Sequence, residues 1–423
     1  MDPSIQAAAG TQRFGPPSAP VGLARTLTLT YAVLYGIGVT VGAGIYVLIG
    51  AAAARAGYTA PLAFVVAAAL MMITGASFAE LASRMPVAAG EAAYVRAGFR
   101  SPALALSVGL LVAAIAIVSA AAISVGSAGY IGVFIALPSQ VIVAAVVLTM
   151  GAVAGLGVKQ SVGFAGAMTL IEIGGLLLIV AAGVGTGPEL ITRLPEAVST
   201  DFDAARWAGL LAATLLAVFA FIGFEALANV AEEIKEPQRT LPRAIFATLA
   251  LTTLLYVLVV WVALVAVGPG ELARSSAPLA LVFERLTGAS PRFMSVIAIV
   301  ATVNGVIVQI IMASRVLYGL AEQGSLPPVL GEVHAATRAP LNATLLAVAA
   351  VLLLALFLPL EHLADITARL TLLLFAIVNG ALIALKRREA APPEGIFVVP
   401  RWVPWAGLAS SLALLAGEIV TWG

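Results

Sequence analysis

Apolar runs of about 20 residues, each closed by proline, glycine or charge, recur along this chain. They fall near 28 to 50, 60 to 83, 101 to 125, 138 to 157, 161 to 185, 207 to 231, 243 to 267, 292 to 319, 340 to 359, 363 to 385 and 402 to 422. A run of that length crosses the hydrocarbon core of a bilayer as an α-helix, so the pattern predicts eleven transmembrane helices. Two of the runs are interrupted. The first carries four evenly spaced glycines in Gly36-Ile37-Gly38-Val39-Thr40-Val41-Gly42-Ala43-Gly44-Ile45-Tyr46, and the sixth carries Phe219-Ala220-Phe221-Ile222-Gly223-Phe224-Glu225. In lipid an unpaired backbone amide is costly, so one reading is a broken helix whose opened backbone is buried or meets a ligand. The other is close helix packing through small residues. Both readings stand on the sequence.

Composition supports the spans. Hydrophobic residues make up 61% of 423 positions and charged residues 10%, where a soluble domain carries roughly 25% charged. The class is an all-α polytopic membrane protein with membrane lipid around it. No cysteine is present, which excludes disulfides and thiolate metal sites. A net charge of +1 argues against a nucleic-acid partner. With the amino terminus cytoplasmic, fifteen of the 22 basic residues fall in inner loops and six outside, with Arg369 inside the tenth helix. The expected location is the cytoplasmic (inner) membrane, with residues 1–25 a disordered cytoplasmic tail and not a signal peptide.

The outer loop 187–206 divides the chain. Helices one to five, over 26–186, form one unit, and six to ten, over 207–386, form a second. Five is odd, so the second unit enters from the opposite side as an inverted repeat. A cytoplasmic loop and the eleventh helix follow over 387–423. The stretch 270 to 290 is weakly amphipathic and predicts a short helix over the outer mouth.

The motifs, taken together, resemble the amino acid, polyamine and organocation superfamily, and most nearly its cationic amino acid transporter-like branch. The resemblance rests on the glycines of helix one, on Ala79-Glu80-Leu81-Ala82-Ser83-Arg84-Met85-Pro86 and on Phe219 to Glu225. Further on, Glu232-Glu233-Ile234-Lys235-Glu236-Pro237-Gln238-Arg239 and Ser314-Arg315-Val316-Leu317-Tyr318 carry it. It covers about 28 to 385 in order. It implies inverted five-helix repeats with discontinuous helices 1 and 6, an APC/LeuT-like fold.

Solute recognition follows from the two breaks. Backbone amides of Val41, Gly42, Ala43 and Gly44 lie at a half-helix N-terminus, where the dipole favours a carboxylate. Carbonyls of Ile37, Phe219, Ala220 and Ile222 suit an ammonium. The resemblance implies the same division. Phe221 and Phe224 read as cavity walls or gates, or as packing; Glu225 reads as a gate or as the residue that holds the unwound segment. Ionisable residues within spans are scarce and mark function by default. Glu418 sits outside the repeats and reads as peripheral, and Glu80 pairs with Arg84 one turn on. Several proton-coupled relatives place a lysine fifteen residues after the glycine of the Gly157-Val158-Lys159 turn, where this chain has Glu172. A lone buried carboxylate readily takes up a proton, which makes Glu172 a candidate proton carrier. The alternatives are a sodium ligand or a structural glutamate. Asn304 and Thr302 lie at a depth to join it.

The reading is a secondary active transporter of amino acids working by alternating access, coupled to protons or else to sodium. It leans toward small or apolar neutral amino acids, because helices three and eight carry no acidic residue at their centres. An exchanger, a cationic amino acid or polyamine transporter, a channel and a non-transporting receptor are the alternatives. His334 and His362 fall in loops on opposite sides and no nucleophile constellation exists, so no enzyme, cofactor or metal is expected.

Overall fold

The computed structural model describes residues 25–86, 90–157, 162–185, 189–197, 203–389 and 394–421. All of the predicted tail except Arg25 lies outside them, as do Val158, Lys159, Pro188, Asp201 and the side chain of Glu418.

Each predicted span is helical. The first is divided into α1 (Leu29–Val41) and α2 (Ala43–Ala56), and α3 (Ala60–Arg84) is the second. A short α4 (Gly90–Phe99) leads into α5 (Pro102–Gly132), α6 (Ser139–Gly155) and α7 (Val162–Val184). The short α8 (Glu189–Thr192) and α9 (Leu194–Ala197) precede α10 (Ala204–Phe221), which gives way to a 3-10 segment over Phe224–Glu233. Then follow α11 (Pro237–Val267), the short α12 (Pro269–Arg274) and α13 (Pro278–Thr287), α14 (Arg292–Glu322), α15 (Leu341–Phe357), α16 (Leu360–Arg388) and α17 (Trp402–Thr421).

Length explains the division of the first span. At about 1.5 Å per residue, the 13 residues of α1 cover only part of the hydrocarbon core, and α2 beyond the break completes the crossing. The sixth span is divided in the same way, with Ile222 and Gly223 between α10 and the 3-10 segment. The helix expected over 270 to 290 is the pair α12 and α13. These pack on α2, and the amide of Leu279 at the start of α13 reaches the Tyr130 hydroxyl of α5 at 3.4 Å. Large apolar side chains such as Leu148, Leu177, Leu254 and Leu345 stay exposed on the outer faces. Surface of that kind suits hydrocarbon, not water.

Candidate functional site

At the first break, Gly42 has φ −26° and ψ −137°, and Gly42, as N-cap, supplies no side chain to cap the start of α2. Helix geometry then leaves the carbonyls of Val39, Thr40, Val41 and Gly42 outside the ladder of α1. The amides of Gly42, Ala43, Gly44 and Ile45 fall outside that of α2. The negative end of one half-helix therefore meets the positive end of the other at one residue. Gly42, Ala43 and Gly44 lie where the sequence expected a carboxylate. Val41 belongs to the last turn of α1, and Ile37 lies a turn deeper, where the helical ladder takes its carbonyl.

The second break is closed by its own residues. The Phe219 carbonyl accepts from the Ile222 amide at 3.2 Å, and the Gly223 carbonyl from the Ala226 amide at 3.0 Å. The Gly223 amide donates to Glu225 Oε2 at 2.9 Å, so the Glu225 side chain holds the turn. Gly223 adopts φ 131°, a conformation open to glycine.

The two breaks touch. A Cβ on Gly223 would stand 2.7 Å from the Val39 carbonyl oxygen, and one on Gly44 would stand 2.9 Å from Ala220 Cα. Across this junction the Tyr256 hydroxyl of α11 lies 2.8 Å from the Thr40 carbonyl and 2.9 Å from that of Ala220. One hydroxyl proton thus serves the open carbonyl ends of both α1 and α10. Tyr256 was not among the expected residues. Its signal was a tyrosine in the middle of an apolar run, since a buried phenol requires a hydrogen-bond partner.

The break and the close helix packing fall at different glycines. A side chain on Gly36 would strike Thr248 of α11, and one on Gly38 would strike Thr169 of α7, so these two glycines admit neighbouring helices. Gly44 does the same for α10. Around Gly42 a Cβ would meet nothing closer than 3.6 Å. Phe221 and Phe224 are fully buried. The ring centroid of Phe221 is 5.3 Å from that of Tyr256, while Phe224 lies 5.7 Å from Phe78 and 5.6 Å from Phe375.

Glu172 is completely buried on α7. Asn304 Nδ2 of α14 donates to its Oε1 at 3.3 Å, and its Oε2 has no hydrogen-bond partner among the described residues. The main-chain carbonyl of Glu172 accepts from the Tyr46 hydroxyl at 2.6 Å, which ties α7 to the first turn of α2. Thr302 donates instead to the Ala298 carbonyl of its own helix at 2.8 Å.

Two ionic clamps flank the breaks. At one end of the bundle Arg55 Nη1 and Nη2, at the end of α2, hold Asp365 of α16 at 2.9 and 2.8 Å, and Nη1 also donates to the Ala212 carbonyl of α10 at 3.1 Å. At the opposite end, near the C-terminus of α3, Glu80 takes Arg84 at 2.6 Å as expected from their spacing. It also takes Lys386 at 2.7 Å and the Val399 amide at 2.8 Å. Leu27, just before α1, pairs with the end of the 3-10 segment through Leu27 N to Glu233 O and Lys235 N to Leu27 O, both 2.9 Å. The start of α1 and the end of the 3-10 segment are thereby joined.

Residues 24–421 match the family described as amino acid permease. An uncharacterized transporter of Mycobacterium tuberculosis is 30% identical, covering 96% of this chain and 93% of its own. The branched-chain amino acid permease BcaP of Bacillus subtilis is 28% identical over 90% of this chain and 86% of its own. A vacuolar cationic amino acid transporter 2 of Arabidopsis thaliana is also 28% identical, over 88% of this chain and 61% of its own.

Proposed function

The chain belongs to the amino acid permease family, and on that premise we propose that it carries an amino acid across the cytoplasmic membrane by alternating access, coupled to protons. The observation that carries this reading is the meeting of two open carbonyl ends at Tyr256, directly beside the open amide end of α2. A zwitterion presents the matching charges: its carboxylate suits the amides of Gly42, Ala43 and Gly44, and its ammonium suits the carbonyls at the ends of α1 and α10. Glu225 is engaged with Gly223, so no free carboxylate at the junction favours a cationic side chain. A small or apolar neutral amino acid fits best, and the name of the Bacillus relative agrees with that class.

Two five-helix units, 26–186 and 207–386, enter from opposite sides with the amino terminus cytoplasmic. Glu172 carries the proton. Its unpartnered oxygen supports this role, and its main-chain bond to Tyr46 supplies a mechanical link to α2. The Arg55–Asp365 clamp closes the outer side, and the Leu27 pairing moves α1 with the 3-10 segment on the inner side.

Proteoliposomes given labelled leucine test the coupling. Glu172→Gln should retain exchange of leucine across the membrane but no longer accumulate it under a pH gradient. Undiminished proton-driven accumulation in Glu172→Gln removes the residue from coupling, and a selective loss of sodium-dependent uptake reassigns it as a sodium ligand.

A further inference from the structure

Beside the second break lies a small cavity, with room for about two water molecules, lined by Glu91, Ile115, Glu225, Met312, Thr371 and Leu374. Glu91 comes from α4 and is 7% exposed; Glu225 comes from the first turn of the 3-10 segment. None of the ion pairs among the described residues includes either carboxylate. Burial pushes the Glu91 carboxyl up to about 6, with its own backbone amide pulling the other way. One turn further along α4, Tyr94 is fully buried and its hydroxyl has no hydrogen-bond partner among the described residues. Burial first, and then the charge of Glu91, raise the Tyr94 phenol and keep it a neutral donor.

The surrounding charges do not neutralise the pair. On α4 itself Arg96 is exposed, and α5 has no charged residue. Among the elements packed on α4 and on the 3-10 segment, Lys386 and Arg84 are held by Glu80, and Arg388 reaches the Ala97 carbonyl at the far end of α4. Arg369 of α16 has interactions of its own, and Arg239, Arg243 and Arg315 are exposed. The 3-10 segment adds only further acids, Glu232 and Glu233, at its inner end.

We propose that Glu91 and Glu225 share one proton across this cavity, forming a second proton site at the hinge of the second break. Two carboxylates facing one small cavity do not both ionise cheaply. A single proton turns their repulsion into a hydrogen bond, direct or through one water. When it leaves to the cytoplasm, the two anions repel. The segment bearing Glu225 is then driven from α4, which is seated against α16 where Gly98 meets Ala381.

Difference infrared spectroscopy of the full chain, in a Glu172→Gln background that removes that carboxyl from the spectrum, reads the proton without requiring transport. In Glu225→Gln the Glu91 acid band should titrate about one pH unit lower than the band of the intact pair. Glu91→Gln should move the remaining band by a similar amount, and the double variant should lose it. Melting curves establish that each variant is folded, and Glu91→Asp, which keeps the carboxyl, should keep the coupling. Midpoints that stay put in both single variants overturn the shared proton and leave the amino acid carrier reading standing; failed leucine uptake with coupled midpoints does the reverse.

Discussion

At Gly42 the start of α2 carries no capping side chain, and what steadies the exposed backbone comes from other elements: Tyr256 on the Thr40 carbonyl and Gly223 against Val39. At Ile222 and Gly223 the corresponding groups are met from within, by Glu225 on the Gly223 amide and by the Ile222 amide on the Phe219 carbonyl. The two interruptions look alike in sequence but differ in what they leave unsatisfied. A buried polar group without a partner costs roughly 1–3 kcal/mol, so open groups persist where a ligand completes them. Ligand binding should therefore concentrate at the first break and structural integrity at the second.

The largest effect that would separate them is expected from Gly223→Val. It forces a β-branched residue to φ 131° and drives a Cβ into the Val39 carbonyl; the expected loss is about 3 kcal/mol. The melting temperature in detergent should fall steeply. Gly42→Ala, whose Cβ meets nothing closer than 3.6 Å, should melt nearly as wild type while binding substrate more weakly. Equal melting losses in the two variants would erase the distinction.

Tyr256→Phe comes next. It strips the shared donor from two buried carbonyls, at a cost of about 1–3 kcal/mol, and should raise the KM for leucine exchange because the carbonyl ends lose their fixed separation. An unchanged KM and melting temperature would mean that Tyr256 is a bystander.

Much of this architecture is legible in the sequence, because span length and apolar periodicity are properties of local stretches. All eleven runs became helices, and the two interruptions fell inside the motifs that marked them. Glycine spacing did not say at which glycine the helix would open. Ile37 and Val41 therefore fall inside α1, and Gly36, Gly38 and Gly44 face neighbouring helices. Glu80 with Arg84 was readable at one-turn spacing. Arg55 with Asp365 is a pairing of residues 310 apart, and no local pattern announces it. Glu91 was missed for the same reason: on a short helix between spans it reads as a solvated charge, and only the packing of α4 against α5 and α16 buries it.

Smaller effects sharpen the account of the second break. Glu225→Ala leaves the Gly223 amide without its acceptor and should cost about 1–2 kcal/mol, whereas Glu225→Gln keeps an acceptor oxygen and should cost less. Similar losses in both would argue that charge, not the cap, is what matters. A pH series gives the gentlest probe. The Glu91 carboxyl is raised from 4.5 to about 6 in the folded chain, so its contribution to stability is full below 4.5 and is lost as pH rises through 6. The melting temperature should drift down over that window, and Glu91→Gln should flatten the drift.

The central claim is that the amides of the first break, with the carbonyl ends of α1 and α10, read both charged ends of a zwitterion. Binding of leucine, its methyl ester and its decarboxylated amine to the purified chain, followed by isothermal titration calorimetry, tests it most directly. The account predicts a clear heat for leucine and none for the ester or the amine, since each lacks the carboxylate that the amides of Gly42, Ala43 and Gly44 receive. Ester or amine binding as tight as that of leucine would contradict it.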